Sequence, residues 1–303
     1  MDLLFLVHLL NALLMIGLPF IIGLWLTRRF KLGWRIFWIG AATFIISQVG
    51  HIPFNSGVNL LFTRGVIPIP SRPVLVYIIN PIFGGLSAGL FEELTRAAVY
   101  KWWAKDARSW RKGVLMGAGH EGAEAIAFGL IALVAFFQMA ALRNADLSKI
   151  VPANQLPLLT QQVTSYWSLP ALTSLLGAVE RLLTFPIQIS LSVLVLQAFT
   201  RDQPAWVPLA ILWHALVDGV VVYLSALWAG QAWMPLALEG VVLVFALLSL
   251  GIIFALRRPE PGPEAPSAPP PSPLPEISPA AEEPKPEALD DSRYILSGSP
   301  TLG

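Results

Sequence analysis

The chain has 303 residues, of which 55% are hydrophobic and 13% charged, whereas a soluble domain carries about a quarter charged residues. Apolar runs recur from Leu3 to Leu256, so one membrane-embedded bundle fits better than the two soluble domains that length alone would suggest. A net charge of +1 gives no footing for nucleic acid, and the absence of cysteine removes disulfides, thiolate metal ligands and a cysteine nucleophile.

A helix needs about 20 apolar residues to cross roughly 30 Å of hydrocarbon, because lipid cannot satisfy unpaired backbone groups. Seven segments meet that condition, at 3–26, 34–54, 74–100, 113–142, 167–199, 205–228 and 233–256. The first has no basic residue before it and is too long for a signal core, so it is read as a retained span. The fifth is long enough to be one tilted helix, kinked or broken at Pro186, where proline removes a backbone donor. Residues 1–257 form the predicted membrane domain. From 258 to 303 the chain is dominated by Pro, Ala, Glu and Ser, which predicts a disordered cytosolic tail, able to offer a Pro-rich ligand to an unknown partner. No internal repeat suggests a transporter built from two related halves.

Lys and Arg accumulate in cytoplasmic loops. Arg28, Arg29, Lys31 and Arg35 fill the first loop, Lys101, Lys105, Arg108, Arg111 and Lys112 the third, and Arg257 and Arg258 follow the last span. These lie on one side only if the fifth segment crosses once, which predicts an amino terminus outside and a carboxyl terminus inside. Arg64, Arg72, Arg143 and Lys149 are then spread over the longer outer loops.

Ionisable side chains at the bilayer centre cost several kcal/mol, so those present tend to face the bundle interior and to have a function. Here they concentrate as Phe91-Glu92-Glu93-Leu94-Thr95-Arg96, His120-Glu121-Gly122-Ala123-Glu124, Glu180-Arg181 and His214-Ala215-Leu216-Val217-Asp218. His120 with Glu124, and His214 with Asp218, are four apart and share a helix face. Counted at about 1.5 Å per residue from the basic ends of their spans, Glu93 and His120 lie about 12 Å deep and His214 about 14 Å. Gln188 falls at the same level, with Glu180 and Arg181 farther toward the outer half. One polar chamber opening toward the cytosol is the expectation.

Carboxylates beside two histidines can hold and deprotonate a water or bind a divalent metal such as zinc, the requirements for amide hydrolysis. Glu92 or Glu93 is the expected base. Adjacent helical residues point about 100° apart, so one of the two reaches the water. Arg96 can hold the other carboxylate by charge pairing. His120 and His214 would orient the water, bind metal or steady an oxyanion, and Glu124 and Asp218 would ligate metal or fix the histidine tautomers. Glu180 with Arg181 reads either as a structural ion pair or as a substrate contact. His8 and His51 show no partner at helical spacing and read as satisfied or interfacial, and Glu239 as an outer-interface residue.

The ordered set Glu92-Glu93-x-x-Arg96, His120-x-x-x-Glu124 and His214-x-x-x-Asp218 resembles the YhfC family of intramembrane metalloproteases, within the larger group of CAAX prenyl proteases, bacteriocin-processing enzymes and PrsW-like proteases. The stretch from Gly113 through Glu124, and Glu180-Arg181 followed by Ser190 to Leu196, add to the likeness. The resemblance implies a helical bundle, in a bacterial cytoplasmic membrane, that cleaves a membrane protein or lipidated peptide with a glutamate-activated water and histidine assistance, with or without bound zinc or another divalent metal. Two positions depart from the pattern. Gln188 stands where a histidine is expected after the Glu-Arg pair, and glutamate, in place of the usual glycine, follows His120. The competing readings are an ion or proton relay using the same groups and a catalytically silent scaffold whose tail recruits partners.

Overall fold

The computed structural model describes residues 2–68 and 73–257, side chains at 73–75 excepted. The predicted tail, Arg72 and Arg258 lie outside the described residues. Among those described, the chain is all helix: α1 (Leu3–Phe30), α2 (Arg35–Thr63), α3 (Pro73–Ala98), α4 (Trp110–Leu142), α5 (Leu156–Ser168), α6 (Ala171–Ser174), α7 (Leu176–Thr200), α8 (Trp206–Leu227) and α9 (Met234–Ala255). A π-helical turn over Val99–Trp103 extends α3. Six of the seven long helices contain a stretch long and apolar enough to cross a bilayer. The other, α3, has 26 residues, about 39 Å at 1.5 Å per residue, and carries Glu92, Glu93 and Arg96.

The ends of the helices follow local chemistry. Asp2 caps α1 by accepting from the Leu4 N–H at 3.0 Å. At its other end Lys31 turns left-handed (φ 55°), and the Leu32 N–H reaches the Thr27 carbonyl at 3.0 Å. That reversal lets α2 start at Arg35, whose guanidinium lies 3.0 Å from Asp106 in the α3–α4 loop. Trp110 donates to the Ile253 carbonyl at 2.8 Å, and Tyr100 packs on Phe199. The basic loops before α2 and α4, the α7–α8 turn and the end of α9 therefore share one end of the bundle, called here the basic end. At the opposite end Asp2 pairs with Arg143, and His8 stacks on Tyr166 of α5.

The fifth predicted span is corrected by the structure. The helix does not run from 167, and it neither breaks nor stops at Pro186; α7 is continuous from Leu176 through Pro186 to Thr200. The interruption falls earlier, where Leu169 is extended (ψ 138°) ahead of Pro170, as a residue before proline prefers. Likewise α2 runs on through Pro53 to Thr63, past its predicted end at 54.

The central helix is α7, with every residue from Ile187 to Gln197 buried. Outward positions such as Ile21, Val49, Ile131 and Leu247 are exposed, the pattern of a bundle whose solvent is lipid.

Candidate active site

Glycines set the distances at the site. A methyl group on Gly119 would meet the Phe37 carbonyl oxygen at 1.9 Å, and one on Gly40 the Met116 carbonyl oxygen at 2.0 Å. The α2 and α4 backbones therefore touch there, a close approach open to glycine in membrane helices. The crossing puts Thr43 of α2 2.7 Å from His120 Nδ1. On α3, Gly85 and Gly89 face the Ala215 and Ile211 carbonyls at 2.5 and 2.8 Å. That contact delivers His214 of α8 to Glu93, Nδ1 to Oε1 at 2.9 Å. Gly117 lies against the Ile189 backbone of α7, one residue from Gln188.

The two adjacent glutamates diverge as a helix requires. Glu93 is fully buried and locked, 3.1 Å from Arg96 Nε and held by His214. Arg96, equally buried, donates to both the main-chain and side-chain carbonyl oxygens of Gln188 at 3.0 and 2.8 Å. Glu92 faces the other way. Its Oε1 accepts from Gln48 at 3.1 Å, and its Oε2 lies 3.0 Å from His120 Nε2 and 3.9 Å from His214 Nε2. The Thr43 hydroxyl has one proton, given to the Gly40 carbonyl at 2.6 Å, so His120 Nδ1–H donates to Thr43 and Nε2 is left facing the Glu92 carboxylate, with which it shares a proton or a cation. Thr43, and not Glu124, fixes this tautomer.

Glu124 instead accepts from Arg181 at 3.0 Å and from Gln188 Nε2 at 3.3 Å. Arg181 also reaches Glu180 at 2.6 Å and Glu121 at 3.6 Å, and Thr184 donates to Glu121 at 2.6 Å. Asp218 lies 3.4 Å from His214 Nε2. The ten residues expected at the site, Glu92, Glu93, Arg96, His120, Glu124, Glu180, Arg181, Gln188, His214 and Asp218, thus fall in one connected network.

A cavity of about 370 Å³ opens on Glu92, Glu121, Glu124, Glu180, Arg181 and Asp218. It does not open toward the basic loops as expected. Its walls run from Glu92 back to Gly84 on α3, from Gln188 back to Glu180 on α7, and from His214 on to Val222 on α8, all away from the basic end. On the basic side Arg96, Tyr100, Leu115, Met116, Ser192 and Leu196 are at most 1% exposed and fill the bundle.

Three donors could hold a metal. One atom each from Glu92, His120 and Glu124 lies within 4.8 Å of the others, a nitrogen and two carboxylate oxygens suited to a divalent cation of the zinc class. A free Nε2 lone pair set against a carboxylate oxygen calls for a positive charge between them, which a proton or a cation supplies. Gln188 is no ligand here, its amide oxygen being taken by Arg96.

Sequence reasoning missed Thr43, Gln48 and Thr184, and gave Glu121, quoted within the second motif, no role. It also missed that His51 has a partner at helical spacing, Asn55 at 2.8 Å, together with Ser87 at 3.2 Å, and lines the cavity. Gly85-x-x-x-Gly89 and Gly113-x-x-x-Gly117 were the available signals for the crossings. His8 is satisfied by the Tyr166 carbonyl at 3.1 Å.

Apolar helices wrapped around a buried carboxylate–imidazole network define a multi-pass integral membrane protein. The chain belongs to the YhfC intramembrane metalloprotease family, whose sequence profile matches residues 14–239. It is 28% identical over 249 residues to a relative in Bacillus subtilis (strain 168) described as "Uncharacterized membrane protein YhfC", covering 80% of this chain and 92% of that one. No solved structure matches it.

Proposed function

We propose that the protein is an intramembrane endopeptidase in which Glu92 activates a water to cleave a peptide bond of a membrane protein or lipidated peptide. The observation that carries this reading is the unequal fate of the two glutamates: Glu93 is tied to Arg96 and His214, while Glu92 faces both the cavity and His120. Glu92 takes a proton from water as the water oxygen attacks the scissile carbonyl carbon, then returns it to the leaving nitrogen as the C–N bond breaks. His120, anchored through Thr43, orients the water. His214 presents Nε2 to the chamber between Glu92 and Asp218, where it steadies the oxyanion. Glu92, His120 and Glu124 are the residues that would hold a divalent cation, which would supply Lewis-acid polarisation. Concentration of Lys and Arg at one end supports placing that end in the cytosol, with the amino terminus outside.

Purified protein in liposomes, given a fluorogenic transmembrane peptide, tests this reading. Glu92→Gln lowers cleavage by about 10²–10⁴-fold with the melting temperature retained. Cleavage undiminished in Glu92→Gln removes the base assignment. A zinc titration should show binding in wild type and loss in His120→Ala; equal binding in both removes the ligand set. The relay reading predicts ion flux in these liposomes, abolished by His214→Ala and unaccompanied by cleavage. The packed basic side argues against such a continuous path.

A further inference from the structure

At the basic end, outside the chamber, α9 stands apart from the α1–α4 pair and leaves a cleft of about 360 Å³ floored by Ile189 of α7, within the size range of small-molecule sites. Its deep walls are apolar, formed by Leu26, Val114 and Ile253, with the exposed Leu250 at its outer edge. Its mouth carries Arg29, Arg111 and Arg257 with Trp25 and Trp110. Trp110 spans the cleft by donating to the Ile253 carbonyl at 2.8 Å, and the Arg257 guanidinium lies 5.2 Å from the Trp110 ring. No acidic residue lines the cleft. The nearby loop acid, Asp106, is engaged by Arg35 and Lys112. Arg29 makes no hydrogen bond or ion pair among the described residues.

From this charge and shape we infer that the cleft binds an anionic phospholipid, its phosphate between Arg29 and Arg257 and one acyl chain along Leu26, Val114 and Ile253. An apolar slot closed by guanidinium groups at a membrane interface complements that ligand at both ends: arginine matches phosphate geometry, tryptophan sits at headgroup depth, and basic pockets between membrane helices favour acidic lipids. A zwitterionic lipid offers the same chain but no net charge, and a soluble phosphate offers the charge without the chain.

Native mass spectrometry of the detergent-solubilised full chain, titrated with phosphatidylglycerol, phosphatidylcholine or glycerol phosphate, tests the inference. Wild type should retain phosphatidylglycerol in preference to the other two. The double variant Arg29→Gln/Arg257→Gln should bind it about thirtyfold more weakly, as two basic side chains at an anionic surface contribute. Arg29→Lys/Arg257→Lys, which keeps the charge but not the guanidinium fork, should recover part of the affinity, which excludes misfolding as the cause. Lys101→Gln/Lys105→Gln, which removes the same charge elsewhere on that end, should bind like wild type. Equal retention of phosphatidylcholine, equal binding of glycerol phosphate, or an equal loss in the Lys101/Lys105 variant overturns the inference.

Discussion

The two halves of the bundle use the same helices differently. Toward the basic end, polar side chains are sealed and matched: Tyr100 meets the Ser192 hydroxyl at 2.9 Å, and Ser192 donates to the Gly113 carbonyl at 2.9 Å. Away from it, α3, α4, α7 and α8 hold Glu92, Glu124, Glu180 and Asp218 around open space, and the Glu121 carboxylate keeps one buried oxygen without a hydrogen-bond partner. Buried polar groups are normally paired, so the packed half serves as a frame and the open half as the place where chemistry can occur.

Arg96 joins the halves, and removing it is the severest way to break the contrast. Arg96→Ala leaves Glu93 buried without its cation and should cost about 3–5 kcal/mol, read as a lowered melting temperature in detergent; a stable variant would mean the frame does not depend on this pair. Gly119→Ala forces a methyl group into the Phe37 carbonyl and should cost about 1–3 kcal/mol or more, as overpacking does, with thermal unfolding as the readout. Thr43→Val keeps the shape and removes the acceptor for His120 Nδ1. Loss of such an orienting partner reduces activity about 10–100-fold, so the cleavage rate should fall while the melting temperature changes little. Arg35→Gln touches neither half. Its pair with Asp106 is exposed, so stability should drop by less than about 1 kcal/mol, and a larger loss by the same unfolding assay would show that the end loops hold the frame.

Much of the arrangement was legible because membrane helices are regular rods. Residue counts from the basic ends placed Glu93, His120, His214 and Gln188 at one level, and the 100° divergence of Glu92 and Glu93 foretold their separate partners. What the counts could not give was lateral distance and fill. Thr43 and Gln48 join the site only because the backbones touch at Gly40 and Gly119, a tertiary event with no trace in the depth of either residue. The direction of the opening was misread for a related reason. Depth locates the polar groups, whereas the volumes of Tyr100, Met116 and Leu196 decide which side of them is closed. The segment around Pro170 was absorbed into a span because its flanking residues are apolar, although the extended Leu169 interrupts the helix.

The plug of side chains beneath Arg96 has a consequence for proton supply. The basic side being filled, the way to Glu92 lies along the cavity walls that run away from the basic loops. Proton exchange at the glutamate is therefore shielded from the end that carries Arg28 and Lys101.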